Sequence, residues 1–373
     1  MSEQIKKTIA KTFLDMAQGL ETGSFATAKI GLMAASSEHG DDELQNALTL
    51  ANRKGIPTQW INEACEADSI TKMEEMLQNG DIDGCVAMHY NFPIGVATVG
   101  KVITPATGRV MYIATTTGTS DTDRVAGMVK NAIYGIIAAK ADGIENPTIG
   151  ILNIDGARKV EMALQDLKKG GYPINFATSK RNDGGFIMRG NDALNNPCDI
   201  MVCDSLTGNV LMKFLSSFTT GGAYESLGYG YGPGIGENFN NLVLIVSRAS
   251  GAAVIAGAME YAASLVKGNW QAVAKAEFAA AKKAGLQAIL TKLTTKPAGD
   301  ATQGIPQEPP KEITTAEISG IEITDLEDAV HALWREKIYA QSGMGCTGPV
   351  VQVNEAKLET ATKILVEKGF VAE

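Results

Sequence analysis

The sequence predicts an α/β protein, a parallel sheet with helices covering both faces. Three observations carry this. Short apolar runs of strand length alternate with stretches of helical periodicity from residue 28 to residue 291. Some of the runs are apolar almost throughout, as in Thr148-Ile149-Gly150-Ile151-Leu152-Asn153-Ile154, which suits a buried strand. The chain has 373 residues, 45% of them hydrophobic, enough to bury a full core.

Taken in order, residues 5–20 place Ile5, Ile9, Phe13 and Met16 on one helical face, a leading helix for packing on the body or on a partner. Residues 28–33 read as a strand. Residues 41–53 read as a helix with Leu44, Ala47, Leu48 and Ala51 as its stripe, ended by Gly55 and Pro57. Strand 58–61, helix 69–78 and strand 83–88 follow, the last running into His89. Residues 109–114 form the next strand. The hydroxyl-rich stretch 115–120 after it suits an anion loop or a helix N-cap region, and residues 123–140 a long helix. Strand 148–154, helix 159–169, an extended piece at 186–189, a strand beginning at Cys198 and a helix over 210–218 complete the pattern. Residues 221–236 are so rich in glycine and tyrosine that no regular element is expected, rather a mobile cover or a dimer contact. Strand 242–247 and helices 252–266 and 270–291 close a body of residues 1–295. Residues 296–317 are a proline-rich, polar linker. Residues 318–373 form a small C-terminal α/β unit, too short to stand comfortably alone and so expected to dock.

Bulk properties exclude several functions. Net charge is −9 with no lysine- or arginine-rich block, which argues against a nucleic-acid surface. The apolar run nearest membrane length, 242–266, is interrupted by Arg248 and Glu260 and by two glycines, so it reads as strand then helix and no membrane span is expected. Five widely spaced cysteines with no CxxC and no His/Cys cluster predict no metal and a reduced, cytoplasmic protein.

Four places carry chemistry-bearing residues. The first is Gln341-Ser342-Gly343-Met344-Gly345-Cys346-Thr347-Gly348-Pro349, a glycine-rich loop after a helix over 325–340 and before a strand over 350–353. Backbone N–H groups freed at such a turn lower a thiol pKa and hold an oxyanion, which makes Cys346 a candidate nucleophile. The competing reading is a small buried hydrophobe. The second is Asp204-Ser205-Leu206-Thr207-Gly208-Asn209, a strand-to-helix turn whose hydroxyls and free N–H groups suit a phosphate, with Asp204 as a cap or base. The third is Ser247-Arg248-Ala249-Ser250, a cation and two hydroxyls just past an apolar strand. The fourth is Cys85 with His89, a Cys/His pair if both face a site and two packing residues otherwise.

The stretch Cys203-Asp204-Ser205-Leu206-Thr207-Gly208-Asn209-Val210-Leu211-Met212-Lys213, with Ile149 to Ile154 before it, resembles the phosphate acyltransferases of phospholipid synthesis. The phosphate acetyl- and butyryltransferases share the wider pattern, in which a Thr-Gly-Asn turn and a Ser-Arg pair surround the acyl-phosphate site. This resemblance covers most of residues 25–295 and implies a three-layer, isocitrate-dehydrogenase-like α/β/α body. The whole chain, including Gly343-Met344-Gly345-Cys346-Thr347-Gly348-Pro349-Val350, resembles the alpha subunits of component C of glycine/sarcosine/betaine reductase complexes.

That resemblance implies an active thiol at Cys346. A selenoprotein component A passes its two-carbon unit to a cysteine of component C, and inorganic phosphate then cleaves the acetyl thioester to acetyl phosphate. Arg248 and Ser247, with Ser205, Thr207 and Asn209, would hold phosphate and the developing oxyanion; no cofactor is bound. A ketosynthase-like beta subunit and an oligomeric state are expected. One departure stands out. Phosphate acetyltransferases carry an acid shortly after Ser-Arg to activate coenzyme A, and here Ala249-Ser250-Gly251-Ala252-Ala253 contains none. Two other readings remain: a stand-alone phosphate acyltransferase using coenzyme A or acyl carrier protein, and a non-catalytic scaffold for the beta subunit. Phosphorolysis also requires the Cys346 loop to reach the body's strand ends, within one chain or between two.

Overall fold

The structure, a computed structural model, describes Phe13 and residues 28–34, 37–180, 184–294, 306–345 and 348–371. Residues 5–12 and 14–20 of the expected leading helix lie outside these, as do residues 296–305 of the linker and Cys346 itself.

Eleven strands form one sheet in the order β2-β1-β3-β11-β10-β4-β5-β9-β6-β7, with β8 also on β6. One parallel half holds β1 (Ile30–Met33), β2 (Thr58–Ile61), β3 (Gly84–Ala87) and β11 (Val243–Ile245). The other holds β5 (Val110–Thr119), β6 (Thr148–Leu152), β7 (Asn175–Phe176), β8 (Ile187–Met188) and β9 (Ile200–Val202). Between them lie β4 (Val96–Ile103) and β10 (Gly232–Ile235). The pairs β11/β10, β10/β4 and β4/β5 are all antiparallel. The expected parallel sheet is therefore mixed at its centre. Three reversals also mean that the two parallel halves point in opposite directions, so the carboxyl ends of β11 and β9 lie at opposite edges of the sheet.

Helices cover both faces, making three layers. One apolar cluster gathers Leu44, Ala47, Ile133, Ile137, Leu164, Ile255, Met259 and Phe278 from the helices of one face. The other gathers Met73, Ala193, Met212 and Leu215 against Met33, Cys85, Met111 and Met201. Burial of such side chains is worth about 1.5–3 kcal/mol each and sets which face each helix presents.

Two expectations in the body are corrected. The glycine- and tyrosine-rich stretch contains a central strand, β10, with every residue buried. Glycine is what admits it: a Cβ on Gly232 would stand 1.7 Å from the Val99 carbonyl oxygen, and Gly232 has φ +86°. Residues 115–119 are not a loop but the continuation of β5. The Thr116 hydroxyl is consumed inside the sheet, where its Oγ1 donates to the Tyr231 carbonyl at 2.7 Å and bonds Thr98 Oγ1 at 2.7 Å. The cap of the next helix, Arg124–Ala141, is Asp123.

The C-terminal unit has its own antiparallel sheet, β12 (Ala316–Ser319), β14 (Gly348–Val353) and β13 (Ala340–Gly345) in that order, with helices Leu326–Arg335 and Leu358–Glu367. Ile318, Leu326, Val330, Leu333, Val351, Ala361 and Leu365 form its core. The helix expected to run to residue 340 stops at Arg335, and residues 341–345 of the expected glycine loop belong to the strand Ala340–Gly345.

Candidate functional site

Helix Ser205–Ser217 ties the body's two candidate turns together. It starts after β9, and its N-cap is Asp204, whose Oδ1 accepts from the Thr207 N–H at 2.8 Å while Oδ2 accepts from the Thr207 hydroxyl at 2.9 Å. The Asp204 carboxyl is also bound by Arg124 at 3.0 Å. Burial pushes this carboxyl up, but the bonds from Thr207 and Arg124 outweigh it and hold its pKa below the usual range. Thr207 thus spends its N–H and hydroxyl on a fixed anion of the protein. Ser205 is half-buried in the first turn, and Asn209 donates to the Thr116 carbonyl at 3.2 Å. Gly208 is required here, since a Cβ would meet the Thr115 carbonyl oxygen at 1.8 Å.

Lys213 lies one turn beyond Asn209 on the same helical face. Its Nζ donates to Glu225 Oε1 at 2.5 Å and to Ser247 Oγ at 2.8 Å. Ser247 Oγ also accepts from the Ala249 N–H at 3.1 Å, and Ser250 Oγ accepts from the Ser247 N–H at 3.1 Å. Arg248 is exposed, and among the described residues its guanidinium has no partner. Its carbonyl accepts from the Glu38 N–H, and His39 Nε2 lies 3.2 Å from the Ala249 carbonyl oxygen. Lys213, Ser247 and Arg248 therefore form a cationic, hydroxyl-bearing rim at the carboxyl end of β11, suited to an anion. Lys213 closes the Cys203–Lys213 sequence motif, and its i, i+4 spacing from Asn209 is the sequence signal for its place on this face.

The structure does not gather every expected residue at this rim. Thr207 and Lys213 are six positions apart, about 9 Å along the helix, and Thr207 sits toward the opposite sheet edge. Cys85 and His89 do not form a nucleophile pair. Cys85 is fully buried in β3, its thiol pushed up to about 12 by burial, and His89 is exposed beyond the strand. Cys198 and Cys203 are buried as well. Cys65 is exposed at the start of helix Glu66–Asn79.

Residues 249–253 contain no acid, but a buried carboxylate packs against this turn from elsewhere in the chain. Glu225, 0% exposed, comes from the glycine- and tyrosine-rich stretch. Its Oε2 accepts from Ser250 Oγ at 2.9 Å and its Oε1 from the Tyr231 hydroxyl at 3.0 Å as well as from Lys213. Burial, then the adjacent carboxylate, pushes the Tyr231 phenol well above its ordinary value. Periodicity gave no signal for this residue, which lies in an irregular segment remote in sequence from the turn it binds.

The C-terminal unit contacts the body at the other edge. Glu322 accepts from the backbone N–H groups of Gly156 at 3.1 Å and Arg158 at 2.7 Å, at the start of helix Ala157–Lys169, and Lys159 pairs with Asp325 at 2.5 Å. These contacts follow β6, so within one chain the unit sits beside the Asp204 edge. Gly345 of β13 pairs with Gly348 of β14; Cys346 and Thr347, which join them in sequence, lie outside the described residues. A cavity of about 510 Å³ between residues 236–240 and helix Trp270–Lys283 contains none of the expected site residues.

Comparison with known proteins agrees with this architecture. A family model described as "Fatty acid synthesis protein" matches residues 32–352. The chain belongs to this family. It is 54% identical, over 99% of both chains, to the glycine/sarcosine/betaine reductase complex component C subunit alpha of Peptoclostridium acidaminophilum. It is 26% identical to a phosphate acyltransferase of Bacillus cereus over 50% of this chain and 65% of that one. It is 37% identical to the phosphate acyltransferase of Vesicomyosocius okutanii over 23% of this chain and 24% of that one. The family membership bears out the expected phosphate acyltransferase-like fold and the resemblance to component C alpha subunits, which extends through the C-terminal unit. No helix among the described residues is long and apolar enough to cross a membrane.

Proposed function

We propose that the chain is the acetyl-transferring subunit of a component C, with Cys346 carrying an acetyl thioester that inorganic phosphate cleaves. A phosphate oxygen attacks the thioester carbonyl, the carbon–sulfur bond breaks, acetyl phosphate leaves, and the Cys346 thiolate is regenerated. Arg248, Lys213 and Ser247 hold the phosphate, and their cations stabilise the oxyanion of the tetrahedral intermediate. Asn209 lies on the same helical face, while Thr207 and Ser205 serve the turn that Asp204 caps. The observation that supports this reading most is the likeness to the component C alpha subunit over 99% of both chains, tail included, together with a cationic rim at the Ser-Arg turn.

The tail contacts of one chain lie at the edge away from Arg248. We therefore assign the reaction to two copies, Cys346 of one reaching Arg248 of another, within an oligomer that also takes a ketosynthase-like beta subunit and the selenoprotein component A. Leu206, Val210, Phe214 and Phe218, spaced by four and exposed on and just beyond helix Ser205–Ser217, supply a surface for such assembly.

A second reading, a phosphate acyltransferase using coenzyme A or acyl carrier protein, is favoured by the 26% identity to a Bacillus cereus phosphate acyltransferase over 50% of this chain. Arsenolysis of acetyl phosphate by the full chain tests both. The first reading expects turnover that Cys346→Ala abolishes and coenzyme A leaves unchanged. Turnover that survives Cys346→Ala and rises with coenzyme A selects the second, and absence of turnover by the chain, alone and in complex, leaves a scaffold.

A further inference from the structure

Glu225 holds the Ser-Arg turn and Lys213 at once, and its environment is built around a carboxylate. Its side chain is buried, yet each oxygen has a donor: Lys213 and Tyr231 on Oε1, Ser250 on Oε2. Its backbone is bound to the same turn in both directions. The Glu225 N–H donates to the Ala249 carbonyl at 3.0 Å, and the Gly251 N–H donates to the Glu225 carbonyl at 2.9 Å. A structural stitch alone would be complete with those two backbone bonds. The buried charge adds something else, since a buried carboxylate is costly unless a cation answers it. The answering cation is Lys213, whose side chain is 47% exposed and whose ammonium also donates to Ser247.

We propose that Glu225 is a positioning residue for an oxyanion site, locking the Lys213 ammonium and the Ser247–Gly251 turn into one cradle for inorganic phosphate or an acyl phosphate. The proposal rests on the reading of this rim as the phosphate site and adds what organises it. Glu225 does not touch the ligand. It acts through Lys213, Ser247 and Ser250.

The sign of one substitution separates positioning from simple charge. If Glu225 were only a nearby negative charge, Glu225→Gln would remove repulsion and tighten phosphate binding. If it positions Lys213, the same change frees the ammonium and weakens binding. Equilibrium binding of radiolabelled inorganic phosphate to the full chain reads this without any acetyl chemistry. Relative to wild type, Glu225→Gln should weaken binding about tenfold, the scale of one charge-assisted bond. Tyr231→Phe, which removes one donor to Glu225 and leaves both the ion pair and the Ser247–Gly251 turn's own bonds in place, should weaken it about threefold. Glu225→Asp, which keeps the charge, should restore part of the loss. Melting profiles identify any variant that fails to fold, in which case Tyr231→Phe decides: unchanged or tighter binding overturns the proposal, and threefold weakening supports it. Wild-type binding that Arg248→Ala abolishes, with Glu225→Gln at wild-type affinity or tighter, overturns this proposal alone. Wild-type binding unaffected by Arg248→Ala, or no binding by wild type, overturns the phosphate-site reading beneath it as well.

Discussion

Glu322→Ala is expected to loosen the C-terminal unit from the body at a defined point. The Glu322 carboxylate accepts two backbone N–H groups at the start of helix Ala157–Lys169, which otherwise has no side-chain cap at Gly156. It therefore serves as an N-cap supplied from the tail, and it places a negative charge at the positive end of the helix. Loss of a capping side chain costs about 1–2 kcal/mol. The neighbouring pair, Lys159 with Asp325, is 36% and 23% exposed and adds about 0.2–1 kcal/mol. Removing Glu322 should raise the opening equilibrium of this contact by roughly 5–30-fold. Hydrogen exchange resolved to single amides is the assay, because Gly156 and Arg158 lose their acceptor directly. Their exchange should accelerate by that factor while the amides of β6 stay at wild-type rates. Glu322→Gln, which keeps one acceptor oxygen, should fall between. Wild-type exchange at Gly156 and Arg158 in Glu322→Ala would show that the tail does not dock through this contact in solution.

Three further outcomes are expected. Brief iodoacetamide treatment of the folded chain should label Cys346 first and the exposed Cys65 next, leaving Cys85 and Cys198, whose thiols burial pushes up to about 12, and buried Cys203 unlabelled; early labelling of Cys203 would contradict the packing of β9. Asp204→Asn, which keeps the cap oxygen but loses the charged acceptor for Arg124 and the Thr207 hydroxyl, should destabilise the chain by about 1 kcal/mol at neutral pH; because the folded Asp204 pKa lies below its unfolded value, this contribution is present above the unfolded pKa of about 3.9 and is lost as pH falls through the folded value, so denaturant melts of the two proteins should converge only in strong acid. Mixing Cys346→Ala chains with Arg248→Ala chains should recover arsenolysis that neither has alone, and failure to recover it in a mixed oligomer would place both residues' work within one chain.

Much of the body was legible because its strands are apolar runs set between helices. The stretches at 30–33, 58–61, 84–87, 148–152, 200–202 and 243–245 carry that signal directly. The antiparallel centre was not legible. In β4, Thr98 and Gly100 interrupt the apolar residues, yet both are buried, because Thr98 bonds Thr116 and Gly100 makes room for Met212. In β10, glycine hid a strand, since the positions that look flexible in sequence are those where another backbone comes within contact. One long helix expected over 270–291 is two, broken at Gly285 with φ +94°. At the site, Arg248 and Ser247 were readable from a cation and hydroxyls after a strand. Glu225 was not, because its role exists only once the glycine-rich stretch folds back onto residues 249–251.

The proposed reaction requires that Cys346 carry the acetyl group. Incubating the full chain with acetyl phosphate, measuring its intact mass and mapping the modified peptide tests this directly. A single added acetyl group, labile to hydroxylamine and to inorganic phosphate, is expected on the peptide containing Cys346, and none in Cys346→Ala. An acetyl group on Cys65 or on a lysine alone, or an unmodified chain under conditions where it turns over acetyl phosphate, would contradict it.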